Sequence, residues 1–374
     1  MIQRIITNKI IKNLNKGKAI LIFGPRQVGK TVLLETLKNK INQNILLLNG
    51  DDHDVQTMFE KANSSKIKTI IGNYSYIFID EAQRIKNIGL AIKIITDNFP
   101  KVQVVATGSS AFELANEINE PLTGRKYEYF LFPLSYAEIL KHTNFFEEKR
   151  QLEERIIYGC YPEIVINPTE KKELLNLLAN SYLYKDLLSY EKIKKSSIII
   201  KLLQALALQI GNEVSYNELS KLIGIDKETV EKYIDLLEKS FVIFRLNSLS
   251  RNYRNELKKS KKIYFYDTGV RNALIGNFNS LNIRADKGAL WENFFISERM
   301  KYLNYSGFYG KTFFWRTKDK AEIDYVEEID GTFYAFEIKY NPNKTSKIPE
   351  SFKIAYPNHE YKIINTENYY EFLT

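Results

Sequence analysis

Residues 24–31 read Gly24-Pro25-Arg26-Gln27-Val28-Gly29-Lys30-Thr31. A glycine-bounded loop closed by Lys-Thr is the P-loop pattern, and it restricts its neighbours to a buried strand running in and a helix leading out. Both are written beside it. Ala19-Ile20-Leu21-Ile22-Phe23 is an apolar run expected of a parallel strand, and Val32 to Leu37 reads as a helix. The glycines let the backbone wrap a phosphate, with the N–H groups of loop and helix start aimed at the anion. Lys30 is placed to reach the β- and γ-phosphates of a nucleotide, and the Thr31 hydroxyl to bind Mg²⁺. Gly24 to Thr31 are therefore the expected nucleotide-binding residues. Arg26 stands at a variable loop position, where side chains often face away.

Hydrolysis needs carboxylates, and Tyr76-Ile77-Phe78-Ile79-Asp80-Glu81 supplies two at the end of a second buried strand. Asp80 is expected in the Mg²⁺ shell and Glu81 as the group polarising the attacking water. Gln83 and Arg84 read equally as water-orienting groups or as a surface helix start. A third strand, Val102 to Ala106, ends in Thr107-Gly108-Ser109-Ser110. A hydroxyl at a parallel strand's carboxyl end lies where ligands bind. Ser109 is the first candidate for sensing the γ-phosphate and Thr107 the second, with a helix N-cap the competing role for Ser109 and Ser110. Arg125 precedes an aromatic strand, Tyr127 to Phe132. It is read either as an arginine finger, in its own subunit or a neighbour's, or as a surface residue of a basic turn.

Strands near 19–23, 45–49, 76–80, 102–106 and 127–132, alternating with amphipathic helices, predict a five-stranded α/β core over 1–140. Asp51 and Asp52 close the second strand, as a cleft lining or a plain turn. Ser135 with Glu138 forms a capping box, and 141–195 reads as a helical lid or linker. Over 196–266 the order is an apolar helix, a helix opened by Ser215-Tyr216-Asn217-Glu218, a turn at Gly224, a helix capped by Asp226, and a hairpin of Phe241–Leu246 with Lys262–Tyr266. That order predicts a winged helix. The third helix exposes Lys227, Glu228, Glu231, Lys232 and Asp235, acids that would repel phosphates. The hairpin tip carries Arg251, Arg254, Lys258, Lys259, Lys261 and Lys262, a basic wing for a phosphate backbone or a solvated charged loop.

Residues 267–374 carry a spaced acidic set. Glu292 lies on a helix, Asp324 on a strand, and Glu337 and Lys339 on one face of the next strand, because strand side chains alternate. Two acids on adjacent strands, a helix glutamate and a lysine are what a metal-dependent phosphodiesterase requires. The spacing Asp-x(12)-Glu-x-Lys matches a restriction-endonuclease-like core, although any charged hairpin imitates it.

Bulk properties bound the rest. At 374 residues the chain suits two to three domains. One cysteine, Cys160, excludes a disulfide framework and a thiolate zinc site, and fits a reducing compartment. Three scattered histidines disfavour a histidine metal site. No apolar run approaches the ~20 residues of a membrane span, and the N-terminus lacks a signal-peptide layout, so the expected location is cytoplasmic. The net charge of +9 suits an acidic partner, but enrichment in Lys, Asn, Ile and Tyr also follows from AT-rich coding.

These motifs together resemble the prokaryotic AAA-type ATPases with a C-terminal domain of unknown function, distantly similar to archaeal ATPases of the STAND and AAA+ groups. The resemblance spans nearly the whole chain. Its carriers are 24–31, Phe-Ile-Asp-Glu-Ala-Gln at 78–83, Thr-Gly-Ser-Ser at 107–110, Leu-Thr-Gly-Arg at 122–125, Phe-Pro-Leu-Ser at 132–135, Tyr-Phe-Tyr-Asp-Thr-Gly at 264–269, Trp-Glu-Asn at 291–293, Glu-Ile-Asp-Tyr-Val at 322–326 and Phe-Glu-Ile-Lys at 336–339. It implies ATP and Mg²⁺ as cofactors, ATP hydrolysis, a winged-helix linker and a nuclease-like C-terminal fold. Three functions follow: an ATP-driven switch, an ATP-gated DNA or RNA nuclease, or a scaffold binding protein or nucleic acid. The oligomeric state is not legible.

Overall fold

The computed structural model describes residues 2–108, 122–180, 196–250 and 261–374. It divides into two compact units. The first is Met1–Leu134 with Lys239–Phe241; the second is Ser135–Glu238 with Val242–Thr374.

The first unit is built on strands β1 (Ala19–Phe23), β2 (Ile45–Asn49), β3 (Tyr76–Asp80), β4 (Gln103–Gly108) and β5 (Lys126–Phe130). They pair all-parallel in the order β2-β3-β4-β1-β5. The three inner strands β3, β4 and β1 are buried along their whole length. This is why their sequences are near-continuous apolar runs rather than alternating ones. Ile20, Leu21, Ile77, Phe78 and Val105 have no exposed surface, each side chain contributing about 1.5–3 kcal/mol by burial. Strands 2 and 3 coincide with their expected spans; the fourth and fifth begin one residue to either side of theirs. The strand order sets the carboxyl ends of β1, β3 and β4 side by side.

The second unit opens with the capping box. The Ser135 hydroxyl accepts from Glu138 N and the Glu138 carboxylate accepts from Ser135 N. Helices at Ser196–Leu208, Tyr216–Ile223 and Lys227–Lys239 follow. Ser215 caps the second, Gly224 ends it at φ 78°, and Asp226 accepts from Thr229 N at 2.7 Å to start the third. The third buries Val230, Ile234 and Leu237. On its polar side Asp235 is half-exposed and ion-paired with Arg245 at 2.6 Å.

Strands β6 (Glu213–Val214), β7 (Ile243–Ser248) and β8 (Lys261–Phe265) form an antiparallel set, with β8 between the other two. Strands β9 (Lys311–Arg316), β10 (Glu322–Ile329) and β11 (Thr332–Ile338) form a meander, and β12 (His359–Ile364) lies parallel to β11. One sheet of seven strands among the described residues, β12-β11-β10-β9-β7-β8-β6, joins both sets. The join is parallel, Asn247 beside Phe313 and Ser248 beside Phe314. The sheet therefore runs without a break past the division expected near residue 266. The helix Lys287–Ser306 precedes the meander and the helix Glu350–Ala355 connects β11 to β12.

Candidate nucleotide site and a second polar pocket

The loop after β1 takes a shape that its sequence permits at few other residues. Gly29 sits at φ 91° and Gln27 at φ 58°, left-handed conformations that glycine adopts at little cost. At Gly24 a Cβ would lie 2.1 Å from the Leu131 carbonyl oxygen, so backbone approach excludes any other residue. Lys30 is buried, and its ammonium donates to the carbonyls of Gly24 (3.0 Å) and Pro25 (2.8 Å). The loop's back is held by Arg4, which sequence reasoning missed. Its guanidinium is buried and donates to Val28 O at 2.7 Å and Phe132 O at 2.5 Å. An arginine ahead of the first helix carries no local signal, because its partners are 24 and 128 residues away.

At the end of β3 the Asp80 carboxylate is gripped from two sides. Thr31 donates to Oδ2 at 2.6 Å, and Thr107, fully buried at the end of β4, donates to Oδ1. Glu81 N in turn donates to the Thr107 hydroxyl at 3.3 Å. Thr107, the second candidate for sensing the γ-phosphate, is thus a buried brace for both acids. Glu81 itself is at φ 48°, an uncommon conformation for a non-glycine residue. Its carboxylate accepts from Gln83 Nε2 at 2.5 Å. Arg84 pairs with Asp51 at 3.3 Å, and the Asp51–Asp52 segment is a turn. Thr31 and Asp80 offer only oxygen donors beside a phosphate-wrapping loop. That suits Mg²⁺, which takes one or two protein oxygens and completes its shell from water and phosphate.

One expected catalytic residue, Arg125, is not brought here. Ser109 lies outside the described residues. Arg125 is at the opposite end of the sheet. Its carbonyl accepts from Ala19 N, and Lys126 pairs with Ala19, the first residue of β1. The P-loop leaves the last residue of that strand, roughly 13 Å further along at the usual strand rise. Its guanidinium is ion-paired with Asp97 at 2.6 Å. The arginine-finger expectation within one subunit is therefore corrected: parallel pairing puts the start of β5 beside the start of β1.

The C-terminal quartet does converge. Lys339 Nζ is 2.6 Å from Glu337 and 3.7 Å from Asp324. Asp324 also accepts from Ile338 N at 2.8 Å. Glu292, Asp324 and Lys339 line a pocket of about 460 Å³ together with Lys287, Gly288, Ile338, Tyr340, Asn341 and Lys344. Burial, with the Asp324 charge adding to it, pushes the Glu292 carboxyl up to about 7 against the pull of Lys262. Burial and the same aspartate raise Glu337. Among the described residues no three His, Cys, Asp or Glu side chains are grouped as a metal cage.

Lys262 departs from the basic hairpin tip in which the sequence placed it. It is 1 % exposed, paired with Glu292 at 3.1 Å and Glu322 at 2.7 Å. Burial would lower its pKa; the surrounding carboxylates overcome this and raise it. Strand alternation turns Lys262 inward, while Lys261 stands over the Tyr216 ring. Residues 251–260, which carry the other basic positions, lie outside the described residues. Among the described residues no helix is long and apolar enough to cross a membrane.

Residues 16–140 match the family model described as an AAA domain. Residues 149–281 and 287–373 match two domains of unknown function, DUF8612 and DUF4143. The chain is 27% identical to an uncharacterized protein of Haemophilus influenzae, over 94% of this chain and 89% of that one. It is 25% identical to an uncharacterized protein of Mycobacterium tuberculosis, over 93% and 75%. Among solved structures it is similar to a Walker-type ATPase of Pyrococcus abyssi, with a TM-score of 0.49 and 15% identity over 74% of this chain and 96% of that one. The N-terminal unit is thus AAA-like in sequence and carries a P-loop on a parallel sheet.

Proposed function

We propose that this protein is a Mg²⁺-dependent ATPase that acts as a nucleotide-driven switch. The observation that carries this is the 2.6 Å hydrogen bond from Thr31 to Asp80, beneath a loop shaped to wrap phosphate. Hydroxyl and carboxylate are already at the separation of two groups that share one cation's shell. When bound, Mg²⁺ neutralises charge on the β- and γ-phosphate oxygens. Lys30 exchanges its carbonyl partners for those oxygens. Glu81, steadied by Gln83, polarises the attacking water. Arg125 would serve only from a neighbouring subunit. The switch reading couples the nucleotide state of the first unit to the winged-helix segment 196–266 and the nuclease-like segment 267–374. The test is Mg²⁺-dependent ATP hydrolysis alongside calorimetric ATP binding. Lys30→Ala should lose binding and lower turnover roughly a hundredfold or more. Glu81→Gln should bind normally and turn over about 10²–10⁴-fold slower. Wild-type turnover in Glu81→Gln would remove Glu81 from the mechanism.

A second reading, a nucleotide-gated nuclease, is favoured by the convergence of Glu292, Asp324 and Lys339 on one pocket, with Glu337 ion-paired to Lys339. The helix–meander–helix–strand order from 287 to 364 supports a restriction-endonuclease-like core. Asp324 and Glu337 are oxygen donors that suit Mg²⁺, and Lys339 is placed to stabilise phosphate charge. Nicking of plasmid DNA or RNA in Mg²⁺ or Mn²⁺, abolished in Asp324→Ala, is the expected result. Cleavage unchanged in that variant would place the activity elsewhere.

A further inference from the structure

The pocket that holds Glu292 and Asp324 has a second wall. Lys287, Tyr340 and Lys344 form it. The Lys287 ammonium stands 4.8 Å from the centroid of the Tyr340 ring. A ring face holds a cation in place without neutralising it. Lys344 is exposed on a turn in which its N–H donates to Asn341 O at 3.1 Å, and Asn343 N donates to Asn341 Oδ1 at 2.9 Å. Lys339 spends its charge on Asp324 and Glu337. Neither Lys287 nor Lys344 has a carboxylate partner among the described residues. Next to Lys287 the wall is open: a Cβ at Gly288 would meet nothing within 4 Å.

One wall of the pocket is thus anionic and the other carries two uncompensated cations. A small free anion would meet the repulsion of the carboxylates. A polymer charged along its length can place one phosphate over the acidic wall, with its cation, while neighbouring phosphates rest on the lysines. We propose that Lys287, Tyr340 and Lys344 bind the phosphodiester backbone of a nucleic-acid strand lying across this pocket. The assignment rests on the nuclease reading for the acidic wall.

The test is fluorescence anisotropy of labelled single- and double-stranded oligonucleotides with the full chain. It is run in Ca²⁺ over a salt series, with and without ATP. Wild type should bind with a clear salt dependence. Lys287→Ala/Lys344→Ala should lower the slope of log affinity against log salt by about two and bind at least about tenfold more weakly at low salt. Lys344→Glu, at an exposed turn residue, keeps the test valid if the double variant melts early; its slope should fall by about one or more. Arginine at both positions should restore the slope. Absence of binding by wild type, or a wild-type slope in both variants, overturns the proposal. Binding that depends on these lysines, with no nicking in any divalent metal, would sink the nuclease reading alone.

Discussion

At the scale of single residues, the nucleotide site is a chain of hydrogen bonds that fixes where charge sits. Thr31, Asp80, Thr107 and Glu81 are linked in series, and Gln83 closes on the Glu81 carboxylate. In the second unit the decisive residue is Glu292. Tyr264 donates to it at 2.6 Å and Lys262 at 3.1 Å, yet burial leaves its carboxyl near 7. The pH consequence has a definite sign. A carboxyl whose pKa is higher in the folded state makes the native protein bind more protons than the unfolded one between about 4.5 and about 7. Its stabilising contribution is full below that window and is lost as pH rises through it. The midpoint of thermal unfolding of wild type should therefore fall more steeply between these values than that of Glu292→Gln, with a differential of about 3 kcal/mol as an upper bound. Parallel pH curves for the two proteins would show that Glu292 ionises normally.

At the scale of elements, the P-loop is shaped from behind as much as from its own glycines. Arg4 ties the loop carbonyl of Val28 to the chain leaving β5 at Phe132. Arg4→Met keeps the length of the side chain and removes the donors. It should cost about 2 kcal/mol or more, because buried carbonyls lose charged partners. It should also raise the KM for ATP more than it lowers kcat, as judged by chemical denaturation and steady-state kinetics. A shift in stability with unchanged KM would confine Arg4 to a packing role. In the second unit the hairpin strands β7 and β8 serve the C-terminal sheet as well as the helices before them. Lys262 shows the consequence: a strand position that reads as a basic surface is the interior cation of that sheet.

At the scale of the whole molecule, a nucleotide-driven switch demands that ATP alter the second unit. Both tryptophans, Trp291 and Trp315, belong to that unit and are buried. Tryptophan emission therefore reports on the second unit while the P-loop lies in the first. Adding ATP and Mg²⁺ should change the intensity or wavelength of that emission in wild type and leave Lys30→Ala unaltered. An emission spectrum indifferent to saturating ATP, in protein shown to bind it, would argue against the switch and leave a simple ATPase.

The sequence by itself determined the P-loop, the Asp80–Glu81 pair, the five strands of the first sheet and the helix caps at Ser135, Ser215 and Asp226. Each is a local matter: a glycine's backbone freedom, an apolar run, or a side chain reaching three residues along the chain. It also named the C-terminal quartet, because a two-residue strand period puts Glu337 and Lys339 on one face. What lay beyond it were facts of long-range pairing. Arg125 stayed open between an arginine finger and a surface residue because only the parallel register of β1 and β5 decides at which end of the sheet it stands. Lys262 was misread because only the seven-strand sheet decides which face of β8 is inside. Arg4, the bracing of Asp80 by Thr107 and the lysine wall opposite the quartet were invisible for the same reason: their partners meet through the fold, and no spacing along the chain records that.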